Sequence, residues 1–189
     1  MSAKPRRQRL PQEAVEATVT ALSHEGRGIA HVGAETVFID GALPGERVTF
    51  RYIARRRGIG EGTLVEVLEA SPERVEPRCP HFGLCGGCSL QHLPPEAQLR
   101  FKEGVLREQF QRIGQVQPQS WLPPLEGPTW GYRRRARLAV RWVAKKGGAV
   151  VGFRERHSAY VAALEQCLVL DPRVGTRLRE LGELIDGLS

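Results

Sequence analysis

Four cysteines are the residues of this chain whose type and spacing could do chemistry. Three lie in one short segment with the spacing C-x5-C-x2-C and the fourth stands alone much later; they are Cys79, Cys85, Cys88 and Cys167. Four thiolates are the ligand set that cysteine supplies to a tetrahedral zinc ion or to an iron–sulfur cluster. Zinc sites more often use two C-x2-C pairs, so the spacing favours an iron–sulfur cluster, with zinc and unliganded thiols as the alternatives.

Two histidines, His81 and His92, flank the cysteine segment. Either could replace a cysteine ligand or donate a hydrogen bond to one, but four cysteines already complete the ligand set. We therefore assign the predicted metal site to the cysteines alone. If Cys167 binds the same metal centre as the other three cysteines, the site cross-links two segments that lie far apart in the sequence.

The charge of the chain predicts an anionic partner. Lys and Arg total 28 against 21 Asp and Glu among 189 residues, a formal net charge of +7, and 24 of the 28 basic residues are arginine. The range 131–158 alone holds nine basic residues and one acid. A patch of this density is typical of nucleic-acid binding, and arginine suits bidentate and stacking contacts with phosphates and bases.

The composition excludes membrane-spanning proteins and wholly disordered proteins. With 41% hydrophobic and 26% charged residues the chain is globular, and no apolar run approaches the roughly 20 residues of a membrane span. Residues 1–10 are basic and polar without an apolar core, so they do not form a secretory signal. We expect a cytoplasmic protein, in which disulfides are disfavoured.

Residues 13–70 predict a small β-barrel. Short alternating patterns are separated by glycine and proline clusters, and Val15, Ala17, Val19 and Ala21 share one face of the first strand. Five such strands in about 60 residues suggest an OB-like barrel of the kind that binds oligonucleotides. Acids outnumber bases here by nine to six, so any RNA contact must be local. The candidates are Arg47, Arg51, Arg55, Arg56 and Arg57, of which the last three are the predicted contacts.

The rest of the chain predicts a β-rich α+β domain over residues 71–189, after a basic disordered tail at 1–12 and the barrel. A helix is expected from Pro94-Pro95-Glu96 to a cap at Gly114, and it is interpreted as a packing element. The range 115–129, rich in proline and glutamine, is a connector. Asp171 followed by Pro172 indicates the start of a further helix.

A β-hairpin is predicted from 132–144 and 149–157, joined at Lys145-Lys146-Gly147-Gly148. Alternation on the first strand places an apolar face opposite a row of arginines. The apolar face comprises Ala136, Leu138, Val140 and Trp142. The predicted RNA contacts of this unit are Tyr132, Arg133, Arg135, Arg137, Arg141, Arg154 and Arg156. Like charges this close repel unless an anion such as phosphate neutralises them.

These motifs together resemble the uracil-C5 RNA methyltransferases, in particular the branch that modifies large-subunit ribosomal RNA and carries a TRAM domain and a 4Fe-4S cluster. The resemblance rests on ordered motifs from about residue 13 onward: Gly26-Arg27-Gly28-Ile29-Ala30, Gly41-Ala42-Leu43-Pro44-Gly45-Glu46, the cysteine segment running into Ser89-Leu90-Gln91-His92, Trp130-Gly131-Tyr132-Arg133-Arg134-Arg135-Ala136-Arg137, Gly152-Phe153-Arg154 and Cys167. It implies that the four cysteines bind a 4Fe-4S cluster. It also implies that Tyr132 and the arginines after it help to grip ribosomal RNA, in a single-stranded or looped form.

The family's methyl-transfer chemistry requires a Rossmann-like domain that binds S-adenosylmethionine, and no glycine-rich loop after a strand occurs in these 189 residues. We therefore expect an RNA-binding, cluster-bearing N-terminal portion with no catalytic residue of its own and no activity alone. Cys167 maps onto a cluster ligand rather than a nucleophile. The alternative is a stand-alone TRAM-type RNA-binding protein with a structural iron–sulfur or zinc site. A zinc-binding structural protein and an iron–sulfur electron carrier are further rivals. Neither a membrane nor an obligate protein partner is expected.

Overall fold

The computed structural model describes residues 10–188, so most of the tail predicted for residues 1–12 lies outside the described residues. The chain divides into two compact units between Val75 and Glu76. The predicted connector at 115–129 therefore lies inside the second unit. No helix among residues 10–188 is long and apolar enough to span a bilayer.

The first unit is a closed five-stranded barrel, which confirms the predicted one. Its strands are β1 (Val15–Leu22), β2 (Gly28–Val32), β3 (Glu35–Asp40), β4 (Arg47–Arg56) and β5 (Ile59–Glu69). They follow the order β1-β2-β3-β5-β4, and β4 pairs with β1 to close the barrel. β3 and β5 are parallel, whereas the other neighbours are antiparallel. Closure leaves no unpaired sheet edge.

Alternating apolar side chains fill the barrel. Val19, Val37, Ile39, Val48 and Phe50 are among its buried residues. The pattern fails at Ala21, which was predicted to share the face of Val19 but is exposed. The β1–β2 register shifts between these two residues, and a bulge of this kind turns the next side chain to the other face.

The second unit is built from short elements. They are α1 (Pro95–Arg112), β6 (Ala139–Val143), β7 (Gly148–Gly152), α2 (Pro172–Gly175) and α3 (Leu178–Asp186). A 3-10 turn, Ala144–Lys146, joins the antiparallel pair β6–β7. Leu164, Cys167, Leu170 and Leu178 belong to the buried core of this unit. Asp171 caps α2 as predicted, because its side chain accepts a hydrogen bond from the Arg173 backbone N–H.

The predicted first strand of the hairpin is wrong over its first half, because β6 begins only at Ala139. Arg133 instead pairs in parallel with Leu170: its N–H donates to the Val169 carbonyl (2.8 Å) and its carbonyl accepts from the Asp171 N–H (3.1 Å). These bonds use the backbone of Arg133 before the strand begins, and residues 134–138 have no regular structure.

Most of the apolar face predicted for that strand is exposed, although Leu138 is partly buried against the core of the second unit. Val140 is 45% exposed and Trp142 is 63% exposed. In the other strand of the hairpin, β7, Val150 and Val151 are both buried.

Helix α1 begins and ends close to the predicted residues, but it does not pack into a core. Ala97 is the one buried residue of the helix, and Leu106 and Phe110 are exposed. The segment after the helix partly covers it. The Trp121 ring contacts the Phe110 ring edge-on (5.6 Å between centroids) and lies under the Arg107 guanidinium (4.2 Å).

Candidate metal centre and nucleic-acid interface

The cysteine segment folds first through its own backbone. The Phe82 N–H donates to the Cys79 carbonyl (3.0 Å), and the Cys85 N–H donates to the His81 carbonyl (2.9 Å). Gly83 between these turns has a φ of +90°, a conformation that favours glycine. Two successive turns therefore connect Cys79 to Cys85, and both residues line the same cavity.

Residues 154–156, which follow β7, bind the cysteine segment through backbone hydrogen bonds. Cys85 forms a β-bridge with Glu155, and the Gly86 N–H donates to the Arg154 carbonyl (2.9 Å). The Arg156 N–H donates to the Leu84 carbonyl (2.9 Å). The loop is thus attached to residues 154–156 along the whole of its middle.

Cys167 comes from a different part of the second unit. Its N–H donates to the Gly175 carbonyl in α2 (2.7 Å). Gly175 has to be glycine for this approach, because a Cβ there would lie 2.4 Å from the Cys167 carbonyl oxygen. The buried core around Leu170 and Leu178 surrounds the cysteine.

All four cysteines line a single cavity, although Cys167 stands 79 positions after Cys88 in the sequence. Phe82, Phe153 and Leu164 supply apolar walls. Burial raises the pKa of the Cys79 thiol and of the Cys85 thiol, and the charges of the neighbouring cysteines raise both further. The neutral thiol is therefore the favoured form here, and a thiolate would be stable only beside a bound cation.

The thiols share a cavity without converging on a point. Within residues 10–188, no group of three or more His, Cys, Asp or Glu side chains is arranged to hold one metal ion. Of the two histidines, His81 lines the cavity and its Nε2 accepts a hydrogen bond from the Glu165 N–H (3.4 Å). His92 is fully buried, with its ring 5.4 Å from that of Phe82.

Sequence reasoning missed two polar residues of the cavity, Gln91 and Gln166. Gln91 lines it, and its Oε1 accepts a hydrogen bond from the Cys79 N–H (3.2 Å). The available signal was its place three residues after Cys88.

The arginine-rich segment before and within β6 lies on the surface. Arg135, Arg137 and Arg141 are exposed, and Arg133 lies with its guanidinium 5.8 Å from the ring centroid of Tyr132. Tyr132 is itself half exposed. No ion pair joins any of these four arginines to a carboxylate within the described part of the chain.

Arg154 and Arg156 differ although both were predicted RNA contacts. The Arg154 side chain is exposed, whereas Arg156 is partly buried against the cysteine loop. The Arg156 guanidinium donates a hydrogen bond to the Cys88 carbonyl. The structure thus separates the two residues that the sequence pattern placed together.

The three arginines predicted for the barrel also differ from one another. Arg55 is paired with the buried carboxylate of Glu35 (2.8 Å), which also accepts a hydrogen bond from the Tyr52 hydroxyl (2.9 Å). Arg56 ends β4 and Arg57 follows it in the turn to β5, with a φ of 51°. Both are exposed, and neither is paired with a carboxylate of residues 10–188.

Comparison with known proteins places these features in a family. The TRAM domain model matches residues 8–65. The chain is 61% identical over 184 residues to the 23S rRNA (uracil(1939)-C(5))-methyltransferase RlmD of Alkalilimnicola ehrlichii, covering 97% of this chain and 41% of that protein. It is 58% identical to the enzyme of the same name from Nitrosococcus oceani, covering 100% and 42%. The chain is the counterpart of the N-terminal half of this family of RNA methyltransferases.

It corresponds to the N-terminal part of the uracil-C5 methyltransferase family and spans about two fifths of the length of these relatives. A solved structure shares the fold: the Pyrococcus abyssi tRNA (uracil-54, C5)-methyltransferase in complex with S-adenosyl-L-homocysteine. The TM-score is 0.63 at 22% identity, and the match covers 92% of this chain and 37% of that one. The predicted family resemblance is therefore confirmed.

Proposed function

We propose that this chain is the RNA-binding and cluster-bearing portion of a 23S rRNA uracil-C5 methyltransferase that uses S-adenosylmethionine. The observation that carries the proposal is the convergence of four cysteines from two distant segments on one cavity, in a chain 61% identical to a methyltransferase of that name. Methyl transfer belongs, in this proposal, to the part of the relatives' length that the chain does not span. The proposed compartment is the cytoplasm, where a ribosomal RNA substrate is found.

Cys79, Cys85, Cys88 and Cys167 would hold the cluster. A 4Fe-4S cluster takes one thiolate at each of four irons, so its ligands must share a cavity but need not meet at a point, as the ligands of a single zinc ion must. The shared cavity supports a site built from all four thiols. When bound, it supplies a charged cross-link between the cysteine loop and the core around α2.

RNA would bind on the arginine-rich surface. Cations that face solvent without carboxylate partners attract phosphates, and an exposed tyrosine next to them offers a face on which an unpaired base can stack. Tyr132, Arg133, Arg135, Arg137, Arg141 and Arg154 are the proposed contacts of the second unit, with Arg56 and Arg57 on the barrel. Arg55 is not among the proposed contacts because it forms an ion pair with Glu35. Single-stranded or looped RNA presents the free bases that such a surface needs.

The cofactor half of the proposal is tested by metal analysis of the chain purified without oxygen. We expect about four iron and four acid-labile sulfide per chain, together with a visible absorption band. Stoichiometric zinc without sulfide would contradict the cluster and favour the alternative, an RNA-binding protein with a structural zinc site.

The RNA half is tested by the salt dependence of binding to a fluorescent single-stranded RNA. Replacing Arg133, Arg135 and Arg137 by alanine should reduce the slope of log K against log salt by about two units, at about 0.7 per lost phosphate contact. The control variant removes three arginines that carboxylates already neutralise, namely Arg47, Arg112 and Arg179. It has the same net charge, and an equal loss of slope in both variants would refute a localised surface.

A further inference from the structure

Arg156, in the second unit, turns its charged group toward the cysteine loop. Its Nη2 donates a hydrogen bond to the carbonyl of Cys88. Its guanidinium carbon lies 5.7 Å from the centroid of the Phe82 ring, within the range of a cation–π contact. Both partners belong to the segment that carries three of the four cysteines, and Phe82 also lines the cavity.

The backbone of the same residue binds the loop at a second point. The Arg156 N–H donates to the Leu84 carbonyl (2.9 Å), one residue before Cys85. Arg156 therefore holds the loop on both sides of the C-x2-C pair, at Leu84 through its main chain and at Cys88 through its side chain. Arg154, two residues earlier, offers the loop only its carbonyl, which accepts from the Gly86 N–H.

The part of the loop between these two points has little stiffness of its own. Gly86 and Gly87 separate Cys85 from Cys88, and glycine loses more conformational freedom on ordering than any other residue. Within this stretch the Gly87 N–H reaches back to the Cys85 sulfur (3.4 Å). A hydrogen bond from a permanently charged, planar guanidinium is a stronger and more directional restraint than that contact.

We propose that Arg156 is a positioning residue, which fixes the Cys85–Cys88 segment in the geometry that receives the metal centre. This role replaces the RNA contact predicted for Arg156 from its place beside the arginine row. The contacts of Arg156 with Leu84 and Cys88, called the clamp below, belong to the metal-free loop. Their role in receiving the metal centre rests on the proposed function. Arg154, with its exposed side chain, is the matched residue without such a role.

The clamp can be measured in the metal-free chain by the rate at which iodoacetamide alkylates Cys88, followed by peptide mass spectrometry with the buried Cys167 as the internal reference. Arg156→Met should raise the ratio of the two rates about tenfold, the factor that corresponds to about 1.4 kcal/mol. Arg156→Gln keeps one N–H donor without the charge, so it should fall between wild type and Arg156→Met. Arg154→Met should leave the ratio at the wild-type value.

Iron content and RNA binding then separate this inference from the proposed function. If the inference holds, Arg156→Met loses iron while its salt slope for RNA is unchanged, and Arg154→Met keeps iron while its slope becomes shallower. Equal alkylation ratios in Arg156→Met and Arg154→Met would overturn the clamp even in a chain that binds a cluster. Faster alkylation in Arg156→Met of a chain that never binds iron would uphold the clamp and refute the cluster. Arg156→Gln gives the same comparison if Arg156→Met does not fold by circular dichroism.

Discussion

Glu46 shows how a single buried carboxylate can organise the barrel. Its side chain is fully buried and accepts hydrogen bonds from the Leu43 N–H (2.8 Å) and from Nε and Nη2 of Arg74 (2.5 and 2.8 Å). Burial alone would raise the pKa of this carboxyl, but the bonds from Arg74 and Leu43 outweigh it and hold the pKa below its usual range. Glu46 therefore ties the turn before β4 to the segment after β5.

Glu46→Gln should destabilise the barrel by about 3 kcal/mol at neutral pH, because it leaves the Arg74 charge half-buried without its partner. A carboxyl whose folded pKa is lowered stabilises the fold above its unfolded pKa of about 4.3, and this contribution disappears as the pH falls through the folded value. The difference between wild type and variant should therefore shrink in acid. Hydrogen exchange of the β3 and β4 amides measures it, with the exposed Glu66→Gln as the control.

A difference that is the same at pH 7 and at pH 3 would show that the charge of Glu46 is not what stabilises the turn. Such a result would leave the shape of the side chain as the cause.

The four cysteines could be identified from the sequence as candidate ligands, because residue type and spacing can be read without knowing the fold. The roles of Arg55 and Arg156 could not be identified in this way. Each is one of several arginines in an exposed pattern, and only the fold shows that Glu35 lies opposite the first and the Cys88 carbonyl opposite the second. The partner of a long side chain depends on the three-dimensional fold. Alternation of residue types along a strand does not encode that partner.

Among the elements, the barrel strands were predictable and the first hairpin strand was not. Buried and exposed residues alternate along β3 and β4, so the pattern and the structure report the same packing. The residues before β6 alternate equally well, yet Ala136 and most of the arginines there are exposed, and Leu138 is only partly buried against the core. The pairing of Arg133 with Leu170 decides where that strand begins, and this contact joins residues far apart in the sequence.

Two glycines of the second unit should respond oppositely to alanine. A Cβ at Gly152, the last residue of β7, would lie 1.9 Å from the Ala162 carbonyl oxygen and 3.0 Å from Leu164, whereas nothing lies within 4 Å of a Cβ at Gly104 in α1. Gly152→Ala should cost about 3 kcal/mol through overpacking. Gly104→Ala should gain about 1 kcal/mol, because alanine is the better helix former.

Urea unfolding followed by tryptophan fluorescence tests the pair. The three tryptophans, Trp121, Trp130 and Trp142, all lie in the second unit, so the signal reports that unit alone. If Gly152→Ala unfolds at the same urea concentration as wild type, the close approach of β7 to Ala162 is not a real constraint.

On the scale of the whole molecule, the two units carry charge differently. In the barrel unit, Arg27, Arg47, Arg55 and Arg74 are each paired with a carboxylate. In the second unit the range 133–141 presents five arginines, none of them in an ion pair within residues 10–188. A uniform distribution of the net charge of +7 would not create such a surface, so the attraction for RNA should come mainly from the second unit.

The candidate metal centre and this surface are connected through the backbone. The residues directly after Cys167 pair with the start of the arginine-rich segment: the Gly131 N–H donates to the Leu168 carbonyl (2.9 Å) and the Arg133 N–H to the Val169 carbonyl (2.8 Å). A metal centre that fixes Cys167 would therefore also fix Arg133. Arg57 belongs to the barrel unit and serves as the comparison residue.

A double-mutant cycle on RNA affinity should reveal this coupling. If a metal centre fixes Cys167, its loss in Cys167→Ser should loosen the residues 169–171 that pair with Arg133. Arg133→Ala should then weaken binding about fivefold, or about 1 kcal/mol, in the wild-type background and much less in the Cys167→Ser background. Arg57→Ala should cost the same factor in both backgrounds, since independent sites add within about 0.5 kcal/mol. Additive losses for Cys167 and Arg133 would mean that the thiol site stabilises its own loop and leaves the RNA surface to order itself.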